Sequence, residues 1–296
     1  MRDDHPLPGA DHVVDGVRLH VVAYGDGPGV PILFLHGFPT SSYLWRDVQR
    51  DVGHRHRSYA VDLVGLGRSE HPTAGPYDLA GQAQLLVGLL DELAVDRVAV
   101  VGHDLGASVG VHITALARDR VAALVVMDGP VHADKWPAPV VVPLLAPVIG
   151  DLQVAALARL PALGRRYLGA QLARGLRVAP LTSRELDCYA APLLSATGGR
   201  GLLRLLRAVD PQALEAAWRL VCADPPPALV LWAEEDVWES AAYGRRVADE
   251  LTGAAWVPIA DAGHFLPEDR PERVAEEIEA FLAEISTPAR TTTASG

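Results

Sequence analysis

Hydrophobic residues run along this chain in short continuous blocks that alternate with segments of helical spacing. The blocks at 31–37, 97–102 and 120–129 are almost wholly apolar, whereas residues 79–95 place leucines at helical intervals. Continuous apolar blocks indicate strands that are buried on both faces, and the helical segments indicate helices that cover them. The alternation therefore predicts an α/β fold with a mostly parallel sheet flanked by helices.

The first strands of this pattern are separated by glycine. Residues 17–25 alternate between apolar and polar side chains, GDGPG (25–29) follows, and the apolar block at 31–37 ends the segment. We expect two strands joined by a glycine-rich turn. The glycines do not form a dinucleotide-binding fingerprint, because a strand follows them where that motif requires a helix.

The strand pattern stops in the middle of the chain. Residues 134–222 are rich in Leu, Ala and Arg at helical spacing, and four prolines divide them: Pro161, Pro180, Pro192 and Pro211. Strand patterns return at 227–236 and 254–264, and an amphipathic helix follows at 271–285. We therefore expect a core domain from residues 1–133 and 223–286, an inserted helical cap at 134–222 and a disordered tail at 287–296.

Composition excludes several classes of function. The chain has 296 residues, of which 49% are hydrophobic, and a formal net charge of −11, which argues against binding to nucleic acid or an anionic membrane. Cys188 and Cys222 are too few for a disulfide framework, and the N-terminus lacks the basic start and apolar run of a signal peptide. We expect a cytoplasmic protein that acts on a small molecule; whether it is a monomer or a homodimer is left open.

Two nucleophile patterns overlap in VAVVGHDLGASVGVH (98–112). One is G-x-D-x-G around Asp104, and the other is G-x-S-x-G around Ser108. A nucleophile elbow is a sharp turn directly after a strand, flanked by glycines that let strand and helix approach each other. The strand ends near Gly102, so Asp104 is the predicted nucleophile. Ser108 falls one turn inside the following helix, where we expect it to serve packing.

The other members of a catalytic set follow in the order typical of such an elbow. HGFP (36–39) ends a buried strand, so the backbone N–H groups of Phe38 and Leu105 are the expected oxyanion hole. DAGH (261–264) supplies His264 as base, and Asp236 at the end of a strand is the expected orienting acid. Asp128, which also ends a strand, is the alternative acid.

These motifs carry a resemblance to a known family. They are HGFPTSSYLWR (36–46), DLVGLGRS (62–69), GHDLGA (102–107) and DAGH (261–264). The chain resembles the α/β-hydrolase superfamily, and within it the epoxide hydrolases and haloalkane dehalogenases whose elbow carries aspartate. The resemblance implies a sheet of about eight strands and a helical cap, which matches the 134–222 insertion.

An aspartate nucleophile suits attack on saturated carbon. A carboxylate is already charged at neutral pH, so Asp104 needs no base to displace a leaving group and form an alkyl ester. His264 would then activate the water that hydrolyses this ester. The eleven histidines are scattered without an H-x-H or H-E-x-x-H arrangement, so we expect neither a metal nor another cofactor.

The residues around the predicted elbow bear on the leaving group. Haloalkane dehalogenases typically hold the halide with Asn and Trp side chains, but the corresponding positions here are Phe38 and Leu105. Epoxide hydrolases protonate the leaving oxygen from the cap, where Tyr167 and Tyr189 are the candidates, and Trp136 is a candidate for the pocket wall. Epoxide hydrolysis is therefore the expected reaction. Haloalkane or haloacid dehalogenation, and a related opening of a lactone or a polycyclic epoxide, are the alternatives.

Overall fold

A mostly parallel sheet runs through the centre of the protein. The computed structural model describes residues 6–286, and within that range the sheet has seven strands. They are β1 (Ala10–Val14), β2 (Val17–Leu35), β3 (His56–Val61), β4 (Val98–His103), β5 (Val121–Met127), β6 (Ala228–Ala233) and β7 (Ala255–Ile259). Their order is β1–β2–β4–β5–β6–β7, with β3 paired to β2. Only β1 and β2 form an antiparallel pair among neighbours in this order.

Strand β2 differs from the two strands and turn expected from the sequence. It continues through the glycine-rich segment, with register shifts on both sides of it. The reason is that β3 pairs with both ends of β2: residues 58–61 meet Val21–Tyr24 in reverse order and Ile32–Leu35 in the same order. A strand has only two edges, so the two ends of β2 lie on opposite sides of β3. When the two ends of β2 are counted as separate strands, the sheet has eight strands, in line with the number of about eight that the resemblance implies.

Helices cover both faces of the sheet. Within residues 6–286 they are α1 (Arg46–Val52), α2 (Leu79–Glu92), α3 (Leu105–Leu116), α4 (Val142–Leu145), α5 (Ile149–Arg159), α6 (Pro161–Gly175), α7 (Ser183–Leu193), α8 (Gly198–Ala208), α9 (Pro211–Ala223), α10 (Ala241–Glu250), α11 (Leu266–Asp269) and α12 (Pro271–Ser286). Alternate side chains of β4 face opposite ways: Val100 packs with α2 and α3, and Val101 packs with α1 and α12. Both are fully buried, which explains the continuous apolar pattern.

The segment between β5 and β6 is helical throughout its regular structure, and we call residues 134–222 the cap. Pro161 and Pro211 begin α6 and α9, where a missing N–H costs nothing, whereas Pro192 lies inside α7. Helix α7 begins with a capping box formed by Thr182 and Glu185. The predicted tail, 287–296, lies outside the described residues. No helix within 6–286 is long and apolar enough to cross a bilayer.

Candidate active site

Asp104 occupies a sharp turn between β4 and α3. Its backbone adopts φ +53° and ψ −127°, a conformation that non-glycine residues rarely take. The flanking glycines permit the turn: a Cβ on Gly106 would lie 2.2 Å from the carbonyl oxygen of Leu35, and one on Gly102 would lie 2.4 Å from that of Gly106. The strained turn projects the Asp104 side chain beyond the sheet, where 18% of its surface stays exposed.

His264 lies between Asp104 and Asp236. Its Nδ1 is 2.8 Å from Asp236 Oδ2, and its Nε2 is 3.6 Å from Asp104 Oδ2. Because an ionised carboxylate only accepts hydrogen bonds, Nδ1–H donates to Asp236 and Nε2 faces Asp104. The second oxygen of Asp236 accepts the backbone N–H groups of Trp238 (2.7 Å) and Glu239 (3.0 Å). Asp236 thus holds the imidazole of His264 in one orientation, and backbone N–H groups hold Asp236 in place.

The other oxygen of Asp104 contacts backbone donors. Phe38 N–H donates to Asp104 Oδ1 at 2.7 Å, and the backbone N–H of Leu105 also interacts with this carboxylate. Helix α3 begins at Leu105, so its N-terminal dipole further favours negative charge here. The two predicted oxyanion donors therefore converge on the carboxylate of the predicted nucleophile.

The charges of these groups depend on one another. Burial alone raises the pKa of Asp104, but its interactions with His264 outweigh burial and lower it below the usual range. Burial alone lowers the pKa of His264, but the carboxylates of Asp236 and Asp104 raise it well above the usual value. Removal of the charge on Asp104 would therefore lower the pKa of His264.

Asp128, the alternative acid, ends β5 without contacting His264 by a hydrogen bond. Its Oδ1 accepts the backbone N–H of Ala233 at 2.8 Å, and its buried Oδ2 has no hydrogen-bond partner among the described residues. Burial, together with the charge of Asp236, raises the pKa of Asp128 well above its usual value. The structure brings Asp236 to His264, and it leaves Asp128 at the end of β5 with a raised pKa and without a hydrogen bond to His264.

One pocket opens on Asp104 and His264. Its walls are mostly apolar, and its lining includes Trp136, Trp238 and Phe265. Phe38, Pro39, Val140 and Gln171 also line a second, apolar chamber formed by helices of the cap, so the two spaces adjoin. An elongated apolar pocket with few polar groups is typical of a site for a small organic substrate.

Comparison with known proteins agrees with this architecture. The family model for the α/β-hydrolase fold matches residues 30–271. The chain belongs to the α/β-hydrolase fold family. Haloalkane dehalogenase 2 of Mycobacterium bovis is 27% identical over 266 residues, covering 88% of this chain and 90% of that protein. A soluble epoxide hydrolase of Corynebacterium sp. is 38% identical over 132 residues, 43% of this chain and 45% of that protein.

A solved structure gives the same result for the fold. The crystal structure of Cfl2 from Burkholderia cenocepacia superposes with a TM-score of 0.80 at 27% identity, and the match covers 93% of this chain and 95% of Cfl2. The predictions of an α/β-hydrolase fold and of an enzyme are confirmed. The protein is a hydrolase of the group that contains haloalkane dehalogenases and epoxide hydrolases.

The structure of this α/β-hydrolase places the three aromatic residues that were predicted to line the pocket in different surroundings. Trp136 lines the pocket beside Asp104, and Tyr167 lines the adjoining chamber, where its hydroxyl accepts a hydrogen bond from Gln153. Tyr189 lines neither space: it is buried, and its hydroxyl donates to Glu268. Ser108 is also buried and donates to the carbonyl of Pro130.

Sequence reasoning missed three polar side chains of the pocket. Trp238 and Glu239 lie two and three residues after Asp236, and Gln171 lies on α6. The indole N–H of Trp238 has no hydrogen-bond partner among the described residues. None of the three stands in a motif, and their proximity to Asp104 arises only when the loop after β6 and the cap meet over the elbow. The one available signal was that Trp238 and Glu239 lie close to Asp236 in the sequence.

Proposed function

We propose that this hydrolase opens epoxides through an alkyl ester on Asp104, which water activated by His264 then hydrolyses. The observation that supports this most strongly is that the two carboxylate oxygens of Asp104 have different neighbours. Oδ1 accepts a hydrogen bond from the backbone N–H of Phe38 at 2.7 Å, and Oδ2 lies 3.6 Å from Nε2 of His264. Such an arrangement leaves one oxygen available as a nucleophile.

In the first step Oδ2 of Asp104 attacks a carbon of the epoxide ring, the C–O bond breaks, and the oxygen that leaves this carbon keeps the electron pair and takes a proton. Asp104 needs no base, because the pKa of its carboxyl group lies below the usual range and the group is ionised at neutral pH. The product is a neutral ester. Loss of the negative charge removes one of the two carboxylates that raise the pKa of His264. His264 then more readily loses its proton and becomes a base.

In the second step His264 takes a proton from water, which attacks the ester carbonyl carbon. The bond from this carbon to Oδ2 then breaks, and Oδ2 leaves with the product as a hydroxyl group that takes the proton from His264. Asp236 keeps the imidazole oriented through its 2.8 Å contact with Nδ1 and stabilises the imidazolium. The carbonyl oxygen of the ester is Oδ1, which the backbone N–H of Phe38 already binds, with Leu105 N–H beside it. Negative charge that develops on this oxygen meets donors that are in place before the reaction.

Dehalogenation is the second candidate, and a specific observation favours it. The indole N–H of Trp238 lines the pocket without a partner, and such a donor suits a departing halide. Against this candidate, Phe38 and Leu105 bring only backbone N–H groups and apolar side chains to the elbow.

The test uses the variant His264→Gln, which we expect to stop after the first step because no base activates the water. The variant is incubated with a panel of epoxides, alkyl halides and β-lactones, and its intact mass is measured before peptide mapping. An adduct with the full mass of an epoxide on Asp104 supports the proposal, and an alkyl adduct without its halogen supports dehalogenation. The double variant Asp104→Asn/His264→Gln is the control and forms no adduct. An adduct on another residue, or none from the whole panel, contradicts the proposal.

A further inference from the structure

Glu239 is a buried acid in the catalytic pocket that the reaction described above does not use. It lines the same pocket as Asp104 and His264, and only 4% of the residue is exposed. Its backbone is fixed on both sides: its N–H donates to Asp236 Oδ1, and its carbonyl accepts the indole N–H of Trp232 at 2.9 Å. The backbone of Glu239 is therefore held in place next to Asp236.

The carboxyl group of Glu239 pairs with Lys135, the only lysine of the chain. Nζ of Lys135 is 2.9 Å from Glu239 Oε2 and 4.2 Å from the centre of the Tyr243 ring. The side chain of Lys135 is 25% exposed. The pair thus extends from the pocket to a lysine that is partly exposed to solvent.

An oxygen leaving group needs a proton, whereas a halide leaves as a stable anion. Attack at saturated carbon places the leaving atom opposite the nucleophile, so a group in contact with Asp104 is poorly placed to protonate that atom. His264 lies on the side of Asp104, 3.6 Å from its Oδ2, and acts there as the base. Of the remaining polar side chains that line this pocket in the described structure, Gln171 and the indoles are too weakly acidic to supply a proton.

We propose that Glu239, paired with Lys135, protonates the oxygen that leaves when Asp104 attacks, and that this pair makes the pocket selective for strained cyclic ethers over alkyl halides. The inference rests on the proposed function of Asp104. An Asp104 oxygen bonds to carbon, the C–O bond breaks, and its electron pair takes the proton of the Glu239 carboxyl group. Hydrolysis of the neutral ester gives an alcohol and ionised Asp104, which releases one proton and restores Glu239.

The charges around Glu239 agree with this role. Burial raises the pKa of Glu239; Lys135 opposes the increase, and the negative charges of Asp236 and Asp104 add to it. Tyr243, on α10, contacts the same lysine through its ring. When Asp104 becomes a neutral ester, its contribution disappears and the pKa of Glu239 falls. Glu239 therefore becomes a stronger acid at the moment when the leaving oxygen needs the proton.

The test measures the rate of adduct formation in the His264→Gln background, with an epoxide and with an alkyl bromide of similar size. Adding Glu239→Gln keeps the shape of the side chain and removes its proton. We expect the epoxide rate to fall on the order of 10²-fold and the bromide rate to stay the same or rise. With Glu239 intact, the epoxide rate should fall as the pH rises through the pKa of Glu239, and Glu239→Gln should abolish that decrease. Glu235→Gln is the matched control, because Glu235 lies in the same loop and pairs with Arg177 on the surface.

The outcomes distinguish this inference from the proposed function. If Glu239→Gln leaves the epoxide rate and its pH dependence unchanged, Glu239 is only a partner of Lys135 and the inference is wrong, although Asp104 remains the nucleophile. If Tyr167→Phe abolishes the epoxide adduct and Glu239→Gln does not, the donor is on the cap and the inference is also wrong. If no electrophile labels Asp104 even with Glu239 intact, the proposed function itself fails.

Discussion

The two walls of the pocket that contains Asp104 differ in the interactions that hold their side chains in place. On the core wall, Asp104, His264 and Asp236 are connected by hydrogen bonds or close contacts to one another and to backbone N–H groups. The cap wall and the adjoining chamber present mainly apolar side chains, with Gln171 in both spaces and Tyr167 in the chamber as polar groups. A preorganised polar wall can perform the same chemistry on many substrates, whereas an apolar wall selects them by shape. We infer that the core determines the reaction and the cap determines the substrate.

The largest effect is expected for Asp104, the proposed nucleophile, on the core wall. Asp104→Asn keeps the size of the side chain but removes its negative charge, so turnover should fall by about 10⁴-fold or more. Steady-state kinetics with the substrate found by trapping gives the measurement. Ser108→Ala, four residues away, is the control and should retain nearly full turnover because Ser108 donates to a buried carbonyl. The opposite pattern would make Ser108 the nucleophile.

The two strand-end acids give the second comparison. Asp236→Asn should slow ester hydrolysis by about 10²–10⁴-fold, because the amide cannot stabilise the imidazolium of His264 in the same way. Asp128→Asn should change turnover by less than about threefold, because burial raises the pKa of Asp128 and so disfavours its charged form, and because Asp128 makes no hydrogen bond to His264. Single-turnover kinetics separates the alkylation and hydrolysis steps. A severe loss in Asp128→Asn with a mild one in Asp236→Asn would reverse the assignment of the acid.

The tyrosines of the cap test its role at a smaller scale. Tyr189→Phe removes a buried hydrogen bond to Glu268, so we expect the free energy of unfolding to decrease by roughly 1.5–3 kcal/mol. Tyr167 is 41% exposed, and Tyr167→Phe should change that free energy by less than about 0.5 kcal/mol. Urea unfolding measures both values. If Tyr189→Phe instead slows alkylation by an epoxide about 10²-fold at unchanged stability, Tyr189 is a proton donor.

The smallest effect concerns the pH dependence of stability. The folded state raises the pKa of Asp128 above its ordinary value of 3.8, so its contribution to stability is fully present below that pH and is lost as the pH rises toward the folded pKa. Asn does not titrate. The free energy of unfolding of Asp128→Asn, relative to the unmodified protein, should therefore be higher at about pH 8 than at about pH 5. Urea unfolding at both pH values checks this, and an equal difference at both would contradict a raised pKa.

The core wall could be predicted from the sequence because backbone geometry restricts which residues fit there. Only glycine fits at positions 102 and 106 of the elbow, so the turn around Asp104 leaves a readable pattern. The sequence did not reveal that the glycine-rich segment lies inside one long strand, because the pairing of both ends of β2 with β3 depends on the tertiary fold. Glu239 and Trp238 stand in no motif, although they lie close to Asp236 in the sequence. Their position depends on how the loop after β6 meets the cap, and neither local propensity nor spacing encodes that contact.

A single turnover in H₂¹⁸O tests the central claim most directly. If Asp104 forms an ester with the substrate, the oxygen transferred to the first product comes from the carboxylate. The product should then contain ¹⁶O, and peptide mass spectrometry should find ¹⁸O in Asp104. An ¹⁸O label in the first product, with an unlabelled Asp104, would show that water attacks the substrate directly and would contradict the account.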